Sequence, residues 1–160
     1  MVKALYGGSF DPIHLGHLSV VERAAESFDI VYVVVLANAE KPTGMFSRSQ
    51  RAEMVAESTR HLSTVVVHEH HGLIVDCADE FGADVLVRSA HKEGRHEQSM
   101  AATNHVLTGV RTSFVMPDAR TAWISSSMVR ELVSAGRFED VESMVPPPVY
   151  SALVASHVRT

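Results

Sequence analysis

The chain has 160 residues, of which 46% are hydrophobic and 21% are charged. These values suit a single folded domain with a sizeable core and exclude a disordered chain. The formal net charge of −5 argues against nucleic acid as the main partner, and no apolar run approaches the roughly 20 residues that a membrane-spanning helix needs. Because the one cysteine, Cys77, cannot form an intrachain disulfide and the N-terminus is not signal-like, we expect a cytoplasmic protein.

Predicted strands and helices alternate along the chain. The strands are predicted at 2–6, 30–38, 64–68, 83–87 and 112–116. The first helix is predicted to begin at residue 15, and the later helices are predicted at 46–59, 72–81, 97–107, 125–136 and 145–157. Ser47 and Gln50 have the spacing of a capping box at the start of the second helix. The alternation predicts an α/β fold with a parallel sheet, in which ligands bind beyond the carboxyl ends of the strands.

The first strand runs into "GGSFDPIHLGH", which ends at residue 17. Gly7 and Gly8 have no side chains and let another group approach the backbone closely. His14 and His17 fall at the start of the first helix, where backbone N–H groups and the helix dipole favour phosphate. Gly16 between them would let a ligand come close. The stretch predicts a phosphate site, and the alternative is a glycine turn whose histidines only cap a helix.

A second helix start, near the end of the chain, has similar chemistry. In "WISSSMVREL", Ser125, Ser126 and Ser127 supply hydroxyl groups as well as backbone N–H groups. A plain helix cap would need only one serine. Two such elements at opposite ends of one α/β chain favour nucleotide binding.

"GGSFDPIHLGH" together with "ISSSMVRE" resembles the nucleotidylyltransferase superfamily, whose marks are a (T/H)-x-G-H motif and a late I-S-S/T-S/T motif. Within it, the chain is similar to the phosphopantetheine adenylyltransferases over nearly its whole length. The resemblance implies one nucleotidylyltransferase domain, 1–160, with a Rossmann-like five-stranded parallel sheet and helices on both faces. It also implies transfer of AMP from ATP, accompanied by Mg²⁺, to 4′-phosphopantetheine in coenzyme A biosynthesis. The family commonly forms hexamers, so we expect a homo-oligomer.

The resemblance also implies roles for individual residues. The catalytic residues would be His17, which binds phosphoryl oxygens in the transition state, Lys41, a mobile cation, and Arg88, which grips a phosphate. The implied nucleotide-binding residues are Gly8, Ser9, Phe10, His14, His17, Ser89, His91, Glu97, Trp123, Ile124, Ser125, Ser126 and Ser127. The implied acceptor-binding residues are Ser9, Lys41, Leu73, Ile74, Arg88 and Asn104. No metal site made of protein side chains alone is expected, and core packing is the alternative for Leu73 and Ile74.

The segment after Arg88 departs from the family pattern. The family has R-G-L-R there, whereas this chain has Ser89 in place of the glycine and His91 in place of the second arginine, and the loop before Glu97 is shorter by two residues. Three function classes stay open. The first is adenylyl transfer to 4′-phosphopantetheine. The second is the same chemistry on another phosphate-bearing acceptor, such as nicotinate or nicotinamide mononucleotide. The third is a non-catalytic nucleotide-binding module.

The sequence "HEHH", His68 to His71, ends the third predicted strand. Strand alternation places His68 and His70 on one side and His71 on the other. A metal site is one interpretation, but no cysteine or carboxylate spacing completes a known ligand set. The other interpretation is that these histidines make assembly or affinity sensitive to pH.

Overall fold

The computed structural model describes residues 1–37, 44–90 and 94–158. The strands are β1 (Lys3–Gly8), β2 (Ile30–Leu36), β3 (Val65–His70), β4 (Val85–Ser89) and β5 (Arg111–Val115). The helices are α1 (Leu15–Ser27), α2 (Arg48–Ser58), α3 (Ile74–Phe81), α4 (Gly94–Thr108), α5 (Ser126–Ser134), α6 (Phe138–Glu142) and α7 (Pro147–Val158). The sequence analysis predicted no element between 136 and 145, where α6 lies. No helix in these ranges is long and apolar enough to cross a membrane.

The five strands form one parallel sheet in the order β3-β2-β1-β4-β5. The predicted Rossmann-like parallel sheet is therefore confirmed. The chain first moves from β1 to β2 and β3 on one side and then crosses to β4 and β5 on the other. The switch point lies between β1 and β4, and a crevice beyond their carboxyl ends is the expected ligand site. Gly8 and Ser89 end these two strands.

Helices cover both faces of the sheet, as predicted. One core packs the sheet against α1, α5 and α7 and includes Val20, Val129 and Leu153. The other packs it against α3 and includes Leu86 and Cys77. Successive side chains of a strand point to opposite faces, so the uninterrupted apolar run of β2 is buried on both sides.

Local signals in the sequence explain where the helices begin. Ser47 and Gln50 form the predicted capping box of α2: the Ser47 Oγ accepts the Gln50 N–H at 3.2 Å, and the Gln50 Oε1 accepts the Ser47 N–H at 2.9 Å. The third strand extends to His70 because β2 continues to pair with it as far as Leu36. The third helix accordingly begins at Ile74, two residues later than predicted.

Candidate active site

The turn after β1 buries an aromatic ring. Phe10 has a φ of 46°, in the left-handed region that bulky residues rarely adopt, and its side chain is buried. Its ring lies edge-on to Tyr6 and His17, with centroids 5.4 and 5.0 Å away. A Cβ on Gly8 would lie 3.1 Å from this ring. Gly8 therefore makes room for Phe10, and Phe10 can reach a nucleotide only through its backbone.

His14 and His17 lie side by side at the start of α1. The Nδ1 of His14 accepts the backbone N–H groups of Gly16 and His17 at 3.1 and 3.3 Å, and the Nδ1 of His17 accepts the His14 N–H at 3.4 Å. The two rings stack with centroids 3.7 Å apart. His14 is buried and His17 is half-buried. Because Nδ1 is the acceptor, each ring when neutral carries its proton on Nε2, which is the atom through which an imidazole donates hydrogen bonds.

Gly16 serves the packing of the protein itself. A Cβ at this position would lie 2.9 Å from the His14 ring and 3.0 Å from the carbonyl oxygen of Thr121. The same loop is held to α1 by Ser19, whose Oγ accepts the Asp118 N–H at 3.1 Å. The expectation that Gly16 clears space for a ligand is therefore wrong: that space holds the loop after β5.

The serines at the start of α5 contact a turn that lies near the beginning of the sequence. Ser125 is the N-cap, and its Oγ accepts the Met128 N–H at 3.2 Å. Ser126 donates from its Oγ to the carbonyl oxygen of Pro12 at 2.9 Å. The start of α5 therefore lies against the turn that leads into α1, so the two predicted phosphate-binding elements border one crevice.

Ser127 has a third arrangement, in which its hydroxyl faces an arginine. The Nη2 of Arg130 donates to the Ser127 Oγ at 3.1 Å, and the Nη1 donates to the carbonyl oxygen of Asp11 at 2.7 Å. Three neighbouring serines thus have three different partners, which explains why more than one is present.

The two residues before these serines differ in exposure. Trp123 is exposed, and its indole Nε1 donates to the carbonyl oxygen of Arg120 at 2.8 Å. Ile124 is buried in the core between the sheet and α1. Of these two predicted nucleotide-binding residues, only Trp123 presents its side chain, and Ile124 offers its backbone.

The end of β4 carries a cation, Arg88, and a buried hydroxyl, that of Ser89. Arg88 is half-buried, and its guanidinium forms no hydrogen bond or ion pair with the described part of the chain. Ser89 and Asn104 are buried, and the Ser89 Oγ and Asn104 Nδ2 have no hydrogen-bond partner among the residues that the structure describes. Buried polar atoms are nearly always satisfied, so these two are candidates for contact with a ligand.

Leu73 and Ile74 do not behave as a pair. Leu73 is 67% exposed just before α3, whereas Ile74 is buried. The Ile74 Cδ1 lies 2.6 Å from where a Cβ on Gly7 would be. Gly7 therefore makes room for Ile74, which is a core residue. Of these two predicted acceptor-binding residues, Leu73 is the one whose side chain is accessible.

Other predicted site residues lie beyond what the structure describes. Lys41 falls within 38–43 and His91 within 91–93, both outside the described residues. Glu97 belongs to α4, but its side chain is also outside them.

The histidines at the end of β3 have separate partners. His68 and His70 lie on one side of the strand, as predicted, and that side faces α3: the His68 ring stacks on Phe81 with centroids 4.6 Å apart, and the His70 Nδ1 lies 3.9 Å from a carboxylate oxygen of Glu80. His71 contacts Arg48 on the other side, with an Nη1 to Nδ1 distance of 2.6 Å. Within the described ranges, no group of three or more histidine, cysteine or acidic side chains could hold a metal ion.

Sequence reasoning missed the role of Asp11. The carboxylate of Asp11 accepts the backbone N–H groups of Met45 and Phe46 at 2.9 and 3.1 Å. Asp11 thus joins the turn after β1 to the segment that enters α2. The sequence shows an Asp-Pro turn but gives no signal of a partner that is so distant along the chain.

A buried arginine was also missed. The Nη1 of Arg51 donates to the carbonyl oxygen of Ser9 and, at 3.1 Å, to that of Leu36. A signal for this residue was present, because Arg51 lies at helical spacing from Met54 and Val55 on the buried face of α2. A charged residue on an apolar helix face indicates a polar partner inside the protein.

Comparisons with known proteins show the family to which the chain belongs. The sequence model of the cytidylyltransferase-like family matches residues 5–132. The chain is 40% identical to the phosphopantetheine adenylyltransferase of Corynebacterium diphtheriae over 96% of this chain and 97% of that one. It is 43% identical to the enzyme of that name from Symbiobacterium thermophilum over 92% and 91% of the two chains.

A solved structure agrees at the level of the fold. Thermotoga maritima TmcAL bound with alpha-thio ATP superimposes with a TM-score of 0.73 at 14% identity, over 99% of this chain and 56% of that one. The matched family model and the two relatives extend over most of the sequence. The chain belongs to the cytidylyltransferase-like family and, within it, to the phosphopantetheine adenylyltransferases.

Proposed function

We propose that the protein transfers AMP from ATP to 4′-phosphopantetheine, giving dephospho-coenzyme A and pyrophosphate. Relatives named for this activity match more than nine-tenths of the chain. The observation that carries the proposal is the contact between Ser126 and Pro12, which puts the N-termini of α1 and α5 at one crevice. The first-turn N–H groups of α1 already donate to protein atoms, so the open N-terminus is that of α5. This N-terminus and the Arg88 guanidinium, which has no ion-pair partner in the described part of the chain, suit a ligand with several phosphates.

The reaction needs positioning and charge stabilisation. An oxygen of the acceptor phosphate attacks the α-phosphorus of ATP, the bond from that phosphorus to the bridging oxygen breaks, and pyrophosphate leaves. The protein forms no covalent intermediate. In this scheme His17 donates from Nε2 to a phosphoryl oxygen as charge accumulates there. Mg²⁺ enters with ATP as part of the substrate and is held mainly by phosphate oxygens and water.

The acceptor phosphate is assigned to Ser9, Arg88 and Lys41. The Ser9 hydroxyl and the Arg88 guanidinium have no hydrogen-bond partner in the described part of the chain, so both are available to a phosphate. The triphosphate is assigned to the N-terminus of α5, where Ser125 and Ser127 add hydroxyl groups.

The arm of the acceptor would pass the α3 and α4 side of the sheet. Leu73 is exposed there, and the buried Nδ2 of Asn104 lacks a partner among the described residues. An amide carbonyl on the acceptor would satisfy Asn104, and an apolar stretch would cover Leu73. This combination suits a pantetheine arm better than the ring of a nicotinate mononucleotide.

We also propose a cytoplasmic homo-oligomer, with a hexamer as its size. Several large apolar side chains are exposed on α4, on β5 and just after β5: Val106, Leu107, Phe114 and Met116. Apolar groups exposed together in this way often mark a subunit contact. Light scattering on the purified protein measures the size, and a monomer at micromolar concentration would refute this part of the proposal.

Pyrophosphate release tests the proposed reaction directly. The assay pairs ATP with 4′-phosphopantetheine, nicotinate mononucleotide or nicotinamide mononucleotide, and repeats the best pair with CTP. We expect turnover with ATP and 4′-phosphopantetheine only. No turnover with that pair, while an active relative gives the usual rate, would overturn the assignment, and turnover with a mononucleotide would replace the acceptor.

A further inference from the structure

Arg51 is a buried cation beside the site that the proposed reaction does not use. Its side chain is only 7% exposed, and it lies on the second turn of α2. Burial lowers the pKa of Arg51 below its ordinary value, an effect that the nearby charge of Asp11 opposes. An arginine stays protonated in proteins, so the charge persists in this desolvated position.

The two carbonyl groups that Arg51 binds lie at neighbouring strand ends. β1 and β2 pair in parallel up to Gly8 and Val35. Ser9 is the first residue after β1, and Leu36 is the last residue of β2. One nitrogen of Arg51 accordingly bridges the two backbones where their ladder of hydrogen bonds stops. The chain beyond Leu36 leads to Lys41, and Ser9 itself is assigned to the acceptor phosphate.

The charge of Arg51 is not neutralised by an ion pair. Within 1–37, 44–90 and 94–158, no carboxylate lies within ion-pair distance of Arg51, and its Nε has no hydrogen-bond partner. The carboxylate of Asp11 is already engaged by the N–H groups of Met45 and Phe46. A cation bonded only to carbonyl dipoles in a water-poor region acts on nearby charges more strongly than a surface cation does.

We propose that Arg51 is a positioning residue for the phosphate site, which holds the ends of β1 and β2 together and places a buried positive charge behind Ser9. The proposal rests on the function proposed above. Arg51 does not touch the substrate; it acts through the Ser9 turn and through the electric potential at the carboxyl edge of the sheet. Loss of the charge should weaken phosphate binding, and loss of the bridge should slow the reaction.

Three variants separate these effects. Arg51→Gln removes the charge, Arg51→Lys keeps it but replaces the planar group, and Arg60→Gln is the matched control. Arg60 lies just after α2, is exposed, and pairs only with Glu57 at 3.5 Å. Calorimetry with 4′-phosphopantetheine in the absence of ATP measures affinity at the acceptor-phosphate site without turnover, and steady-state assays give kcat and KM.

We expect Arg51→Gln to weaken 4′-phosphopantetheine binding about tenfold or more, and Arg51→Lys to stay within about threefold of wild type. Both should lower kcat about tenfold, because the strand ends are no longer bridged. Arg60→Gln should match wild type. Thermal melts identify folded variants, and measurements are made well below the melting temperature. A purely structural arginine would lower the melting temperature and leave the affinity of the folded variants unchanged, which would overturn the proposal.

Each remaining outcome is decisive. If Arg51→Gln does not fold, Arg51→Lys alone tests the proposal, and a wild-type kcat in that variant would refute it. Equal affinity for 4′-phosphopantetheine in Arg51→Gln and Arg60→Gln would also refute it. If wild type binds 4′-phosphopantetheine but does not turn it over with ATP, the proposed function fails, while the order of affinities still tests Arg51.

Discussion

His14 and His17 cap the first turn of α1 for each other: the Nδ1 of His14 accepts the His17 N–H at 3.3 Å, and the Nδ1 of His17 accepts the His14 N–H at 3.4 Å. Each bond needs an Nδ1 without a proton. The buried His14 therefore fixes the position of the half-buried His17 ring and also the nitrogen that carries its proton.

Replacing His14 tests this arrangement. Because His14→Ala removes the acceptor for two backbone N–H groups, we expect it to lower the free energy of unfolding by about 1 kcal/mol or more. His14→Asn restores an acceptor at the N-cap and should recover much of that loss. Urea unfolding measures both variants. Equal stability of His14→Ala and wild type would show that the cap contributes nothing.

Replacing His17 separates an enzyme from a nucleotide-binding module. His17→Ala removes a donor needed in the transition state, so kcat should fall about 10²- to 10³-fold while the dissociation constant of ATP changes less than about tenfold. His61→Ala is the control, because His61 is exposed and pairs with Glu22. Steady-state kinetics and ATP calorimetry give the two numbers. An unchanged kcat in His17→Ala would contradict a catalytic role.

The packing around Gly16 predicts a cost for one added methyl group. In Gly16→Ala the Cβ would meet the His14 ring and the carbonyl oxygen of Thr121, and a backbone cannot move aside cheaply. We expect the free energy of unfolding to fall by about 1–3 kcal/mol. Ser27→Ala, at the exposed end of the same helix, should stay within about 0.5 kcal/mol of wild type. Denaturant unfolding compares the two, and equal stability would contradict the close approach.

Asp118 gives a prediction about pH. Side-chain hydrogen bonds from Arg120 lower the pKa of Asp118 to about 2. A depressed carboxyl pKa means that the stabilising contribution is present above the unfolded value near 4 and is lost as the pH falls towards 2. Carboxyl chemical shifts in an NMR titration should place the midpoint there. Arg120→Gln should move it upwards, and an unmoved midpoint would exclude the guanidinium as the cause.

Cys77 should be inert in the folded protein. Burial, assisted by the charges of Glu80 and Asp76, raises the pKa of the Cys77 thiol to about 11. The thiolate is the reactive form, so its fraction at pH 8 is about a hundredfold below that of an exposed cysteine. Mass spectrometry after iodoacetamide treatment should show no labelling of native protein and full labelling in denaturant. Rapid labelling of the native protein would show that this core opens readily.

The alternation of apolar runs predicted the fold because the length and periodicity of each run indicate whether it forms a buried strand or one face of a helix. The crevice followed from the same reasoning, since Gly8 and Ser89 end strands on either side of the switch point. Gly7 and Gly16 were harder to interpret. A glycine in a sequence signals a close approach but not the neighbour, and here the neighbours are Ile74 and Thr121, which are distant along the chain.

The roles of charged residues inside the site show a similar limit. Arg51 lies at helical spacing on an apolar face, and this pattern reveals that it is buried. Its partners are backbone carbonyls, which carry no mark in the sequence. Leu73 and Ile74 are chemically similar neighbours in the sequence, but at the start of α3 the side chain of Ile74 lies in the core and that of Leu73 is exposed.

The hydrogen bond from Ser126 to Pro12 spans 114 residues. During synthesis the ribosome releases the β1 turn long before α5 exists. A nascent chain can therefore pair its first strands. The crevice proposed for the phosphates lacks the wall formed by the start of α5 until the last quarter of the sequence emerges. The crevice proposed for the nucleotide is thus completed late, when the fold is nearly complete, and a chain cut short before Ser126 lacks one of its walls.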